Sequence, residues 1–544
     1  MSDILTQNVQ TLHQLDPVLA KRICWPVGEG HVVMDDSGVH LSYRGTPRDL
    51  IHPSPNEFHV PDDKQPVCLF GLGMGEALEQ ALERFQDRCV VVWERDPWLL
   101  RIFLARVDVR EPLLAGRLIF QLGCDLEPWV TAKTGALWTP HPLLQAVYRR
   151  EWRWLQEPKD KLAMLFEGGL FVDDMEDTLN EAGYSVYTID ADVLSLEEMA
   201  WLCHRLKPEL LAAINYRSGF AEFAESQNLP LLVWEIDPTT EALPRVQGTS
   251  NCTYFFTYRE SQVAGLQKNG FAQSEYLPLA SHTGRRQPVA LDADESEKYK
   301  SALSFVGSSM LLQAADLKTR LVGGMENHAL TASEISQKLE SIWERQASNY
   351  SEYSIPVLVD EIFPELHQLS EDDAFRGEPV QLVAEVAAAR KRLDYVCGLA
   401  DTGIEVWGDA GWEQINGAEG LVYRGRAAHG DELSKIYNAS DINIDVNRIY
   451  QMDIVPMRIF DVLACGAFVL AEDGPAIREL FRVGEEVEVY RDLEDLRAKV
   501  AHYMERPEAR NKIANQGRER VCADHSIRDR LQHMLARAGI QQGD

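Results

Sequence analysis

Between residues 66 and 124, short runs of unbroken apolar character alternate with amphipathic stretches. The order is PVCLFGLGMG, EALEQALERFQ, CVVVWERDP, WLLRIFLARVD and RLIFQLG. A strand that is apolar on both faces needs cover on both faces. Strands of this kind separated by helices therefore predict a parallel α/β sheet. The pattern returns from about 160 to 285. LAMLFEG, SVYTID, ELLAAIN, LPLLVWEID, CTYFFTY and SEYLPLA read there as strands, and MEDTLNEAG (ending at Gly183) and EEMAWLCHRLKP as helices. It returns a third time from ALSFVGSS to near residue 525. That third unit is interrupted over 312–398 by a stretch rich in Glu, Ala, Leu and Gln, which is either an inserted helical subdomain or long connecting helices. The first 60 residues open with an amphipathic helix. HVVMDDSGVHLSYRG follows, in which an Asp-Ser-Gly turn separates two extended runs. The final segment, SIRDRLQHMLARAG, reads as a helix. The expected organisation is three α/β domains, 1–155, 156–290 and 291–544.

Charge narrows the partners. A formal net charge of −31 disfavours nucleic acid and anionic lipid, while leaving room for a local basic pocket that takes a small anion. None of the nine cysteines forms a CxxC pair, and they sit in apolar runs such as VCLF and LACGAF, so they read as buried reduced thiols rather than metal ligands. No run reaches the ~18 apolar residues of a membrane span, and MSDILTQNVQTLHQLDP has no signal-peptide pattern. These features predict a soluble, cytoplasmic chain without a metal site.

The most informative region is 436–490. ASDINIDVN is a strand with polar residues at its end, and VPMRIFDVLACG is a helix entered through Pro456 and closed by Gly466. Ligands of open α/β sheets bind beyond the carboxyl ends of strands, where helix N-termini face anions. The residues Ile454, Val455 and Pro456 are therefore placed to meet a diphosphate, and Arg458 has the donor fork to hold one. Asp453 precedes the helix and Asp461 lies within it. A carboxylate near a ribose can accept both hydroxyl protons. A helix with solvated charges is the alternative reading of the same spacing.

The run RIFDVLACGAFVL, followed by FRVGEEVEVY and IANQGRERV, resembles group 1 glycosyltransferases in the branch that includes CgeB. KPELLAAIN, LPLLVWEIDP and YLPLA are similar to the matching N-terminal half. The resemblance spans about 160–525 and implies a GT-B fold: two Rossmann-like domains, here preceded by a further Rossmann-like α/β domain. It implies a nucleotide-diphosphate sugar as donor, transfer that retains anomeric configuration, and no required cofactor or metal. Related retaining enzymes carry two Glu separated by seven residues; this chain has Asp453 and Asp461 at that spacing, one methylene shorter at each. On the resemblance, Asp461 binds the ribose and Asp453 faces the donor sugar. Gly307 and Ser308 belong to the phosphate-side loop, Lys318 and Arg320 to phosphate binding, and Gly408 to the turn that cups the base. Asp237 and His282 are candidates facing the cleft, and Asn215, Trp234 and Glu235 are candidates for the acceptor side.

The first domain places Gly71, Gly73 and Gly75 after a strand and before a helix, with Glu94 ending the next strand. That arrangement suits a dinucleotide or S-adenosylmethionine, although the third glycine is one position early for G-x-G-x-x-G. The region also resembles motility accessory factors, in which it need bind nothing; that likeness implies a protein acceptor such as flagellin, with a glycan as the other candidate. Two other functions stay open: an S-adenosylmethionine-dependent methyltransferase using the glycine turn, and a GT-B scaffold without activity.

Overall fold

The unbroken apolar runs do form parallel sheets. The computed structural model describes residues 3–25, 32–35, 38–43, 46–49, 66–131, 138–142, 144–237, 243–328, 330–371, 375, 377–415, 420–428 and 430–541. A small antiparallel sheet, β1 (Val32–Asp35), β2 (Gly38–Tyr43) and β3 (Thr46–Asp49), follows the two N-terminal helices. Asp36 and Ser37 of the expected turn, and Pro238 after Asp237, lie outside the described residues.

The chain divides into two compact units, residues 1–233 with 540–544, and residues 234–539. In the first unit, β4 (Val67–Phe70), β5 (Val90–Glu94), β6 (Leu118–Leu122) and β7 (Trp138–Pro140) form a parallel sheet in the order β6-β5-β4-β7. All residues of β4 and β5 are buried, as a sheet covered on both faces requires. Next come β8 (Lys161–Phe166), β9 (Tyr184–Ile189), β10 (Leu210–Ile214) and β11 (Leu231–Glu235), in the order β9-β8-β10-β11. The boundary between the units falls inside β11. Buried ion pairs tie the helices of this unit to one another and to the loop after β8. Arg22 reaches Asp125 at 2.8 Å and Glu198 at 2.5 Å, and Arg150 reaches Glu167 and Glu176, each at 2.5 Å.

The second unit holds β12 (Ser250–Thr257) paired in parallel with β13 (Phe271–Tyr276). It also holds β14 (Ser301–Val306), β15 (Glu405–Trp407), β16 (Val422–Tyr423), β17 (Ser440–Ile444), β18 (Val469–Glu472) and β19 (Glu488–Tyr490). These six are parallel, in the order β16-β15-β14-β17-β18-β19. Counted within the sheet that is 3-2-1-4-5-6, the doubly wound Rossmann order, with its switch point between β14 and β17. The parallel α/β class is what the apolar alternation led us to expect, and the Rossmann-like sheets are what the resemblance implied.

The 312–398 stretch is helical and has its own core. The helices Leu311–Met325, Ala332–Ala347, Ile355–Ile362 and Pro379–Cys397 close over Leu321, Ile335, Leu339, Trp343, Val359 and Leu382, all buried. No helix among the described residues is long and apolar enough to cross a membrane. The cysteines are free; Cys24 and Cys522 are exposed, against the expectation of burial, because both sit near helix C-termini rather than in strands.

The last helix, Ile527–Arg537, lies against the β13 end. Arg530 donates to Pro278 O at 2.8 Å and Leu279 O at 3.1 Å, and to His525 Nδ1 at 2.9 Å. A ring nitrogen that accepts this bond carries no proton. His525 is buried between Phe460 and Phe481, with centroids at 5.5 and 5.3 Å. Burial, followed by the charges of Arg530 and Arg520, pulls its pKa down to about 4. The unfolded chain therefore takes up a proton between about pH 6.5 and 4 that the folded chain refuses, so stability falls as pH drops through that window. In urea unfolding at stepped pH, His525→Asn should lose about 3 kcal/mol less than the parent between neutral pH and pH 4. Parallel acid limbs would show that His525 is not the group titrating.

Candidate functional site

The switch point of the β14–β19 sheet is occupied by arginines. Arg392, from the Pro379–Cys397 helix, is buried and spans the crevice. Its Nη1 donates to Ser308 O just past β14 at 2.9 Å, and its Nη2 to Val446 O just past β17 at 3.3 Å. Its Nε is buried with no hydrogen-bond partner among the described residues. Arg458, in the first turn of the Met457–Ala464 helix, pairs with Asp445. Both guanidiniums lie over the Phe305 ring, at 5.7 and 5.0 Å from its centroid. Arg448 completes the group from the loop after β17, 3.9 Å from Glu385. Burial first, then the charges of Arg458 and Arg448, lowers the Arg392 pKa to about 9. A buried guanidinium with two like charges beside it gains from an anion that reaches it.

Beside this cluster opens a cleft of about 310 Å³, lined in part by Asp445, Ile454, Pro456, Ile459, Glu472 and Gly474. It lies beyond the carboxyl ends of β17 and β18 and at the start of the Met457–Ala464 helix. Glu472 is held in its wall by the fully buried Lys391 at 2.5 Å, and burial raises its pKa.

Residues 383–536 match the glycosyl transferase-like family. Arg392, Arg448, Arg458, Asp445 and the whole cleft lie inside that glycosyl transferase-like segment. No curated protein matches the chain. Among solved structures, a glycosyltransferase from Rickettsia africae ESF-5 is similar at 11% identity, covering 69% of this chain and 98% of that one, with a TM-score of 0.40. Sucrose-phosphate synthase from Thermosynechococcus elongatus follows at 13% identity, 69% and 98% coverage, and a TM-score of 0.39. Anabaena HepE in complex with UDP and glucose stands at 10% identity, 69% and 99% coverage, and a TM-score of 0.37. Likenesses this distant say nothing about the substrate of this chain.

The structure brings several of the sequence-derived candidates together. Gly307 faces Arg458: a Cβ on Gly307 would stand 2.7 Å from Arg458 Nη2. Gly408 packs on Gly307, where a Cβ would meet the Gly307 carbonyl oxygen at 2.1 Å. Ser308 Oγ donates to Asp409, which also accepts from Ser309 Oγ at 2.6 Å and so ties the two turns together. Ile454 and Val455 are buried, and Pro456 serves as the N-cap, one position before the first turn. Asp453 accepts from Arg259 at 3.3 Å and from Ser261 at 2.9 Å. Asp461 is buried and accepts from Ser281 Oγ at 2.6 Å and Arg286 Nε at 3.3 Å. Glu235 accepts from Thr257 Oγ1 at 2.8 Å. Near it, the Tyr258 hydroxyl accepts from Gln451 at 2.9 Å and feels the charges of Arg259, Glu235, Arg448 and Asp237.

Others are placed differently. Lys318 and Arg320 point into the helical region: Lys318 pairs with Glu340 at 3.6 Å, and Arg320 lies over Phe375 at 5.9 Å. Their helix begins at Leu311, so Lys318 stands ~10 Å along it from the end that faces the sheet. Trp234 is fully buried and belongs to the core, because all five residues of β11 are buried, as in a strand covered on both faces. Asn215 directly follows β10 in the first unit with φ +62°, a left-handed position that asparagine tolerates. His282 accepts from Arg285 N at 3.2 Å and sits next to Ser281, the partner of Asp461.

The glycine turn of the first sheet is filled from within. Glu94 accepts from Leu72 N and Asp96 N, each at 2.9 Å, and from Tyr148; burial pushes its pKa up to about 7. The acid expected on a ribose thus holds the turn itself. The order β6-β5-β4-β7 puts this sheet's switch point between β4 and β7, and His141, the first residue after β7, plugs it. A Cβ on Gly73 would stand 2.3 Å from His141 Nε2, and one on Gly75 would stand 2.2 Å from Phe103.

Proposed function

We propose that this chain transfers a glycosyl group from a nucleoside-diphosphate sugar to an acceptor hydroxyl, with the diphosphate seated at the β14–β17 switch point. The observation that carries this reading is the convergence of Arg392, Arg448 and Arg458 beside an open cleft, inside the glycosyl transferase-like segment. Charge develops on the leaving diphosphate during transfer, and fixed guanidiniums in a buried site stabilise it without reorganising. On this reading they supply the positive charge, so the rate is insensitive to chelator. Asp461 spends two acceptor sites on Ser281 and Arg286. A carboxylate offers about four, which leaves two for ribose hydroxyls. Asp453, held by Arg259, faces the donor sugar, with Glu235 and Asp237 on the acceptor side and retention as the stereochemical outcome. The resemblance of the first 155 residues to motility accessory factors points to Ser or Thr of a protein such as flagellin as acceptor.

The test is thermal stabilisation by UDP, GDP and S-adenosylmethionine. A ligand at a hundred times its Kd adds about 2.7 kcal/mol to the native state. A shift with one nucleoside diphosphate supports the reading and names the base. A shift with S-adenosylmethionine alone would move the chemistry elsewhere, and no shift at all would leave a scaffold. With the donor base known, Asp461→Asn should raise donor KM about tenfold, the size of one lost charge-assisted hydrogen bond; an unchanged KM removes Asp461 from the ribose.

A further inference from the structure

The chain leaves β17 through Asp445, Val446, Asn447 and Arg448, and each of these is tied to another element. The Asp445 carboxylate accepts from Arg458, and the Val446 carbonyl accepts from Arg392 Nη2 at 3.3 Å. The Asn447 N–H donates to Glu472 Oε2 at 3.2 Å, and Arg448 Nε stands 3.9 Å from Glu385 Oε2. All of these ties except the first lead to the Pro379–Cys397 helix. Arg392 and Glu385 belong to it, and its Lys391 holds Glu472 Oε1 at 2.5 Å. Arg392 lies about two helical turns beyond Glu385 and shares its face, while Lys391 is turned ~100° from Arg392 and meets the end of β18.

Lys391 meets no ligand itself. Its side chain is fully buried and does not line the cleft, whereas Glu472 does. Its charge acts on Glu472 instead. Burial pushes the Glu472 pKa up, the Lys391 ammonium opposes that, and nearby Asp445 adds to it. Lys391 thus favours the ionised carboxylate, the stronger acceptor for the Asn447 N–H. Asn447 passes the constraint on: its Oδ1 accepts from the Arg448 N–H at 3.0 Å, and its Nδ2 donates to Gln451 O at 2.7 Å. A long side chain on a loop gives up less freedom on binding when its backbone is already fixed.

We propose that Lys391 is a positioning residue for the diphosphate, acting through Glu472 and Asn447 to hold Arg448 at the crevice. This deepens the donor reading above and rests on it.

Calorimetric titration of full-length parent, Lys391→Met, Arg448→Met and the double variant with UDP and GDP tests it. Each single change should weaken the nucleotide that binds about tenfold, the scale of one hydrogen bond to a charged group. The double variant should also lose about tenfold, because Lys391 acts through Arg448; independent effects would multiply to about a hundredfold. The Lys391→Met deficit should also grow with pH. Besides Lys391, Glu472 faces Tyr395 of the same helix, Asp445 past β17 and Tyr490 of β19, and Asp473 beside it is paired with Arg478 at 2.7 Å. None of these supplies a free cation, so in Lys391→Met the carboxyl is neutral on the acid side and a bare anion in the cleft wall on the alkaline side. If Lys391→Met does not fold, Glu472→Asp, which keeps the charge but shortens the reach, takes its place in the same cycle with Arg448→Met. Parent affinity in the single variant overturns the proposal and leaves the donor reading standing. So does a loss that multiplies with that of Arg448→Met, which would make Lys391 a support of the fold alone. Binding of neither nucleotide by the parent removes the donor reading and this inference together.

Discussion

Arg392→Met weakens nucleoside diphosphate binding about a hundredfold, some 2.7 kcal/mol, while melting in buffer stays level or rises. Both halves follow from the same burial. Without an anion, Arg392 is a charge in a dry crevice, neighboured by two like charges and held by two carbonyls. Replacing such a group by an apolar side chain of similar volume is often neutral or stabilising. With a diphosphate bound, the same guanidinium makes charge-assisted bonds in low dielectric, each worth about 1.5–3 kcal/mol. A bound anion also raises the depressed pKa. Affinity is therefore full below about pH 9 and falls as pH rises through that value. Calorimetric titration of the diphosphate that stabilises the parent, on both sides of pH 9, reads both effects. Lys318→Ala is the matched control: it removes a cation from the helical region and should leave affinity unchanged. Equal affinity in Arg392→Met and parent would take the diphosphate away from the switch point.

The contrast between Arg392 and Lys318 shows what was legible in the sequence. Strand and helix alternation is a local property, and local burial writes it directly: VCLF and VVVWE had to be interior strands, and they are. The start of the 457–464 helix was legible for the same reason, since Pro456, Arg458 and Asp461 follow one another on a single short element. Arg392 was not. It lies in AAARKRLDYV, deep in a stretch read as either an inserted subdomain or long connecting helices, and its role depends on which face of a 19-residue helix meets the sheet. The signal present was the basic run Arg390, Lys391 and Arg392 following alanines; in the structure Lys391 and Arg392 are buried and the exposed-side charge falls to Arg390. Arg448 could have been found by its position just past a strand end. Lys318 and Arg320 were misplaced because the phosphate-side loop was extended too far along the helix that follows it. Glycine patterns are ambiguous in another way. Gly307 and Gly408 make room for each other and for Arg458, whereas Gly73 makes room for His141, 68 positions away in sequence, and only the fold distinguishes the two cases.

Gly73→Ala destabilises the first unit by about 3 kcal/mol, and His141→Ala removes most of that penalty. At φ +58° an alanine pays about 1–2 kcal/mol for the left-handed backbone alone. Its Cβ would also stand 2.3 Å from His141 Nε2 and 2.7 Å from Cδ2. The ring cannot withdraw easily: His141 is buried, its Nδ1 accepts from Leu144 N at 3.2 Å, and its backbone N–H donates to Phe70 O at 2.8 Å. Overpacking of this kind costs about 1–3 kcal/mol on top of the backbone term. In the His141→Ala background the clash is gone, and Gly73→Ala should cost only the backbone term, so the two substitutions couple by about 2 kcal/mol. Urea unfolding of the four proteins measures the cycle. If the glycines instead admitted a cofactor, Gly73→Ala would be nearly as stable as the parent, uncoupled from His141, and would lose S-adenosylmethionine binding. Coupling without any such binding makes the turn a packing device, fixed by the residue that plugs its own switch point.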